Sequence, residues 1–282
     1  DERREVVKIL IKFTDLIRPH LSDLSHSYNF MGDIDFIRAK ALFGVRINGI
    51  KPIFENKQQV EWAQAIHPLL NIQLFQQGKQ AHPLDIVLNE KNRLLIVSGA
   101  NAGGKSLCLK TVALLQYMLQ CGLLIPVHEN SRTGIFDHIF VDIGDGQSIE
   151  NSLSTYTSHL TNMKYFVEQC DNKTLILIDE FGSGTEPQIG GAIAETLLDR
   201  FNRKGSFGVI TTHFQNLKHF AYETDGIING AMLYDAERMQ PLYRLSIGNP
   251  GSSFAVEVAT RIGLPKDIII ESSAKLGEGF IN

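Results

Sequence analysis

Cysteine is scarce in this chain. Cys108, Cys121 and Cys170 are its only thiols and stand far apart, with no C-x-x-C pair. That pattern supplies neither a zinc ligand set nor a disulfide framework, and reduced, buried thiols are the simplest reading. Long apolar runs are missing too: none approaches the ~18 residues that a membrane span requires. No signal peptide is visible, and no initiator Met precedes the opening Asp1-Glu2-Arg3-Arg4-Glu5. The chain therefore reads as an internal piece of something longer, in a cytoplasmic, reducing location and without a membrane partner. An excess of one charge is also lacking. A net charge of −4 over 282 residues does not advertise a nucleic-acid surface. No internal repeat or low-complexity segment stands out. With 43% hydrophobic residues the chain can bury a sizeable core.

The most informative stretch is Leu94-Leu95-Ile96-Val97-Ser98 followed by Gly99-Ala100-Asn101-Ala102-Gly103-Gly104-Lys105-Ser106. An apolar strand runs into a G-x-x-x-x-G-K-[ST] turn, and an apolar-periodic helix follows (Leu107, Leu109, Val112, Leu115, Met118, Leu119). Glycines let the backbone wrap phosphate oxygens where a Cβ would obstruct them. The unpaired N–H groups of the turn and of the helix start point at the anion. Lys105 supplies a mobile positive charge for the β- and γ-phosphates, and Ser106 a hydroxyl for Mg²⁺. The cofactors expected are ATP and Mg²⁺.

Upstream, Val6, Ile9, Leu10, Phe13, Leu16 and Ile17 have helical spacing, closed by Pro19. A second helix is expected from about Asp33 to Ala41, with Gly44 beyond its end. From Val45 through Ile47, Ile50, Ile53 and Phe54 the pattern turns strand-like. Trp62 reads as a packing residue and His67, before Pro68, as structural rather than ligand-binding. Downstream, Gly122 is a helix stop. Strands are expected at 139–143, 175–178 and 208–211, and helices at 160–170 and 190–201. The stretch 226–247 reads as a strand pair at the sheet margin, and the last 30 residues as helical. The polar stretch from Gly144 to His159 is too long for a turn and is a functional candidate. Strands alternating with helices imply an α/β fold with a mostly parallel sheet.

The apolar run Leu175-Ile176-Leu177-Ile178 ends in Asp179-Glu180. Ligand sites of open α/β sheets lie at the carboxyl ends of strands. There Asp179 is placed to hold Mg²⁺ and Glu180 to polarise the attacking water, with the two acids arriving from the strand beside the phosphate loop. Their mutual repulsion calls for a counter-charge, which Mg²⁺ and Lys105 provide. His213, closing Thr211-Thr212-His213, can reach the γ-phosphate or the water. Asn101 offers an amide to a phosphate oxygen. No arginine finger is visible in the chain, so a donor from a second subunit is expected.

The loop, Ser154-Thr155-Tyr156, Asp179-Glu180-Phe181-Gly182-Ser183-Gly184-Thr185 and Thr211-Thr212-His213 closely resemble, in order and spacing, the MutS family of ATPases. The runs Asp142-Ile143-Gly144-Asp145, Gln147-Ser148-Ile149-Glu150 and Ser152 to His159 resemble its shorter branch, which lacks mismatch recognition and usually ends in a small Smr nuclease domain. The resemblance implies a P-loop NTPase of ABC type, with 1–44 the helical end of a lever domain, 45–272 the ATPase domain and 273–282 the start of a following arm. It implies a homodimer with shared sites, in which the Ser154 segment faces the partner's γ-phosphate. It also implies roles in branched-DNA binding, suppression of recombination or rescue of collided ribosomes. Ala100 stands where the family commonly has proline. Lys79-Gln80-Ala81-His82 lacks the aromatic residue that stacks on the base in the mismatch-repair branch. No nuclease constellation stands in this chain.

Three other classes share a phosphate loop, and the sequence fits each less well. An ABC transporter subunit would carry a Leu-Ser-Gly-Gly-Gln type signature where Ser152-Leu153-Ser154-Thr155-Tyr156 stands. A nucleotide-switched binding module without turnover would not need both Glu180 and His213. A P-loop kinase would need an acceptor pocket and lid arginines.

Overall fold

The computed structural model describes residues 1–100, 103–144, 152–235, 238, 240–251, 263–265 and 267–271, with the backbone alone at 152–155. Two compact units divide it, residues 1–48 and residues 49 onward.

The first unit is a pair of helices, α1 (Glu2–Ile17) and α2 (Leu21–Arg46), joined by a 3₁₀ turn at Arg18–His20. Pro19 sits at the start of that turn, where its missing N–H costs nothing. Helix α2 differs from its expected span. It begins well before Asp33, contains Gly44 and carries Val45, which therefore belongs to no strand. A helix-interior glycine costs only about 1 kcal/mol against alanine, too little to stop a 26-residue helix.

The second unit carries two sheets. Strands β1 (Ile53–Phe54), β2 (Val60–Ala65), β3 (Leu84–Leu88) and β5 (Arg132–Thr133) form a small sheet in the order β1-β5-β2-β3. Helix α3 (Pro68–Phe75) follows β2. Its N-cap is His67, whose Nδ1 accepts the Leu70 N–H at 3.3 Å. Burial lowers the His67 pKa, which keeps the ring neutral for that role.

The larger sheet has the order β10-β9-β4-β8-β7-β6. Its strands are β4 (Asn92–Ser98), β6 (His138–Asp142), β7 (Thr174–Ile178), β8 (Phe207–Thr211), β9 (Gly226–Asp235) and β10 (Gln240–Ile247). All neighbours are parallel except β10, which returns antiparallel along β9 and forms one edge. The expected strand pair is thus present, though β9 lies inside the sheet, directly beside β4. Helices α4 (Lys105–Gln120), α5 (Ser152–Gln169), α6 (Pro187–Arg203) and α7 (Gln215–Glu223) connect the strands. Central strands β4, β7 and β8 read as continuous apolar runs because both faces are covered. Leu94, Ile96, Ile176, Ile178 and Ile210 pack on Phe166, Leu198 and Phe201.

Helix α4 ends as its sequence predicts. Gly122 takes φ +72°, and the Leu123 N–H reaches the Met118 carbonyl at 2.9 Å, the bond that closes a left-handed helix terminus. Cys108 and Cys170 are buried, the Cys108 thiol pushed up to about 12 by desolvation. Cys121 departs from the buried reading and lies exposed at the end of α4. Among the described residues no helix is long and apolar enough to cross a membrane.

Candidate functional site

Strand β4 delivers the glycine-rich loop, and helix α4 leaves it. Gly99 has φ +132° and Gly104 φ +93°, both beyond ordinary L-residue space. A Cβ on Gly104 would also lie 2.9 Å from the Tyr243 ring. The Gly103 N–H bonds the Ala100 carbonyl at 2.9 Å, tightening the turn. Lys105, the first residue of α4, is buried, and its ammonium donates to the carbonyls of Gly99 at 2.9 Å and Ala100 at 2.8 Å. Ser106 follows it, half-buried. Asn101 and Ala102 lie outside the described residues.

Opposite the loop stands the acid pair. The strand bearing it is not next to β4: β8 lies between β4 and β7. That insertion makes Thr211, the last residue of β8, the central bracket of the site. Its buried hydroxyl donates to Asp179 Oδ1 and accepts the Glu180 N–H at 2.8 Å, while its carbonyl accepts the Phe181 N–H at 2.8 Å. Glu180 needs the support. It has φ +49°, uncommon for a residue with a Cβ, and such strain persists where the surroundings over-determine it. Asp179 is buried and Glu180 exposed.

The charges converge. Burial lowers the Lys105 pKa, and the negative charges of Asp179 and Glu180 act in the opposite sense. His213, exposed just beyond β8, is held below its ordinary pKa by desolvation first and then by Lys105 and Lys218, against the pull of Glu180 and Asp179. A neutral imidazole follows at neutral pH. Lys105, Asp179, Glu180 and His213 therefore share one electrostatic neighbourhood. The backbone of Ser154 lies in the first turn of α5; its side chain, like residues 145–151, is outside the described residues.

Several groups had no signal in the sequence. Lys218, on α7, is a buried cation donating to the Gly251 carbonyl at 3.1 Å. Gly251 in turn donates its N–H to Ser98 Oγ at 2.7 Å, tying residue 251 to the root of the loop. Beside Gly104, a cavity of about 460 Å³ is lined by His67, His82, Leu107, Thr111, Met232 and Tyr243, among others. His82 and Tyr243 stack at 5.6 Å between ring centroids, 20° apart in plane. The Tyr243 ring comes from β10, a strand distant in sequence from His82 and Gly104. Asp142, at the end of β6, binds His159 and Asn162 of α5.

Among the described residues no group of three or more His, Cys, Asp or Glu side chains could hold a metal alone. Ser106 beside Lys105 and Asp179 beyond the tip of β7 offer a hydroxyl and one carboxylate, the kind of partial set that Mg²⁺ completes with phosphate oxygens and water.

Comparison with known proteins shows the family. The family model described as MutS domain V matches residues 95–278. A protein from Enterococcus faecalis named Endonuclease MutS2 is 41% identical over 278 residues, covering 99% of this chain and 34% of that protein. Proteins of the same name from Ligilactobacillus salivarius and Halalkalibacterium halodurans are 43% and 39% identical, over 95% and 98% of this chain. The chain spans about a third of the length of these relatives.

Proposed function

Since this chain belongs to the MutS family and carries its P-loop ATPase domain, we propose that it binds ATP with Mg²⁺ and hydrolyses it to ADP and phosphate. The observation that carries this reading is the convergence of Lys105 with the Asp179–Glu180 pair across the β4–β8–β7 tips. In it, the loop amides and Lys105 hold the β- and γ-phosphates. Asp179 and Ser106 hold Mg²⁺, which neutralises charge on the phosphate oxygens when bound. Glu180 accepts a proton from water as the water oxygen bonds the γ-phosphorus and the bridging oxygen leaves with ADP. Neutral His213 offers a hydrogen bond to the γ-phosphate. Gly99 to Gly104, including Asn101 and Ala102, are read as the phosphate cradle, and the cavity lined by His82 and Tyr243 as the place of the base.

None of the cationic groups of the site is an arginine among the described residues, which supports a homodimer whose partner supplies the Ser154 segment to each site. Residues 1–44 are read as the end of a lever, 45–272 as the motor and 273–282 as the start of an arm. Closing and opening of such a dimer by nucleotide is a population shift toward the state that binds ATP better. The whole protein's target is read as branched DNA or the ribosome. Lys105→Ala tests the core of the proposal: tight binding of a fluorescent ATP analogue should be lost. Binding as tight as in the unaltered protein would refute it. ATPase rate titrated separately with branched DNA and with stalled ribosomes distinguishes the targets.

A further inference from the structure

The buried carboxylate of Asp142 serves no purpose in the reading above. It sits at the tip of β6, and both of its oxygens are taken by one helix. His159 Nδ1 is 2.6 Å from Oδ2, and Asn162 Nδ2 donates to Oδ1 at 2.9 Å. His159 and Asn162 are three residues apart and so share one face of α5. A buried carboxylate is tolerated only when paired in this way, so α5 is docked to β6 by directed bonds as well as by the apolar contacts of Met163 and Phe166.

The main chain of Asp142 carries the link onward. Its carbonyl accepts the Asp179 N–H at 2.9 Å. The Asp179–Glu180 turn is thus held from two sides, by Thr211 of β8 and by Asp142 of β6. Its Glu180 has a left-handed backbone that nothing local favours. Moreover, His159 lines the same narrow cleft as Asp179, Glu180 and Gly182.

We propose that His159, gripped by Asp142, is a positioning residue for the nucleotide site of its own chain, holding the Asp179–Glu180 turn in the geometry that hydrolysis requires. The proposal rests on the reading of Glu180 as the water-activating group. Charge reinforces the geometry. The hydrogen bond to Asp142 raises the His159 pKa most, burial opposes it, and the charges of Asp142, Glu180 and Asp179 raise it further. An imidazolium there offsets the repulsion between the two acids.

The test compares His159→Ala and His159→Gln with the unaltered protein, using the whole protein. A small displacement of reacting groups costs on the order of 10–100-fold in rate. His159→Ala should therefore lower kcat by about that factor, with KM for ATP and the affinity for a fluorescent ATP analogue within about twofold. Gln, which keeps a donor toward Asp142, should recover part of the loss. Should the Ala variant not fold, Gln carries the test, with a severalfold loss of kcat at unchanged KM expected and an unaltered kcat contradicting. Chains bearing His159→Ala are then mixed with chains bearing Glu180→Gln. A residue acting within its own chain gives no gain on mixing. At equal mixing half of the dimers are mixed, and a rise toward a quarter of normal activity would show that His159 serves the partner's site and overturn the proposal. So would an unaltered kcat in His159→Ala, or a parallel loss of kcat, nucleotide affinity and thermal stability that Gln does not relieve. Turnover by Glu180→Gln alone would remove the reading of Glu180 and this proposal with it, and it is seen in a separate arm.

Discussion

Thr211→Val is the sharpest perturbation of the bracket between the two acids. Thr211 is fully buried, and valine matches its shape, so the exchange leaves no cavity. What it removes is one hydroxyl with two bonds, the donor to Asp179 Oδ1 and the acceptor of the Glu180 N–H. A hydrogen bond to a charged group contributes about 1.5–3 kcal/mol, and a buried group left unpaired costs about 1–3 kcal/mol. The expected loss is therefore about 2.5–6 kcal/mol, read as a lower urea midpoint at unchanged slope. Activity should fall further than stability explains. Without its bond to Thr211 the Glu180 turn relaxes toward ordinary backbone angles, and kcat should drop by roughly 10–100-fold. Thr211→Ser keeps the hydroxyl and should restore most of both. A Val variant as stable and as active as the unaltered protein would refute the bracket.

Three further outcomes follow from the same geometry. A Cβ on Gly251 would lie 2.9 Å from Gly99 Cα and from the Ser98 carbonyl carbon, backbone atoms that cannot swing aside. Gly251→Ala should weaken ATP-analogue binding by about tenfold in equilibrium titration, and unchanged affinity would contradict the contact. Tyr243→Ala removes the ring over the cavity beside Gly104 and should raise the dissociation constant by roughly 2–10-fold, on the scale of an aromatic pair. That loss should be smaller for a bare triphosphate than for ATP, and equal losses would argue against base stacking. The His159–Asp142 pair predicts a pH dependence of stability. The folded pKa of His159 is raised, so its contribution is complete below the unfolded value of about 6.5 and fades as pH rises through the folded value. The gap in urea midpoint between the unaltered protein and His159→Gln should be wider at pH 6 than at pH 9; a constant gap would speak against the pair.

Local features were the legible ones. The phosphate loop is contiguous, and its glycines, Lys105 and Ser106 carry their chemistry in their spacing. The apolar run that ends in Asp179-Glu180 reads as a buried strand with acids at its tip, and it is one. The order of the sheet was not legible. Nothing near residues 175–180 or 94–98 tells that β8 threads between them, because strand neighbours are chosen by tertiary packing. For the same reason Thr211 reads as an ordinary strand residue until its two partners are in place. Tyr243 is separated by long stretches of chain from both His82 and Gly104, which it touches. Residues 21–32 show weak periodicity, so the start of α2 carries no sequence signal, and Gly44 costs too little to stop the helix that contains it. The small sheet of β1, β2, β3 and β5 has strands too short or too irregular to stand out.

One comparison bears most directly on the central claim that Glu180 activates water at a site built by Lys105, Ser106 and Asp179. In Glu180→Gln, ATP-analogue affinity and single-turnover hydrolysis are measured side by side. Affinity within a few-fold of the unaltered protein, with the single-turnover rate down by roughly 10²-fold or more, is the predicted result. A turnover rate that survives the exchange would contradict it.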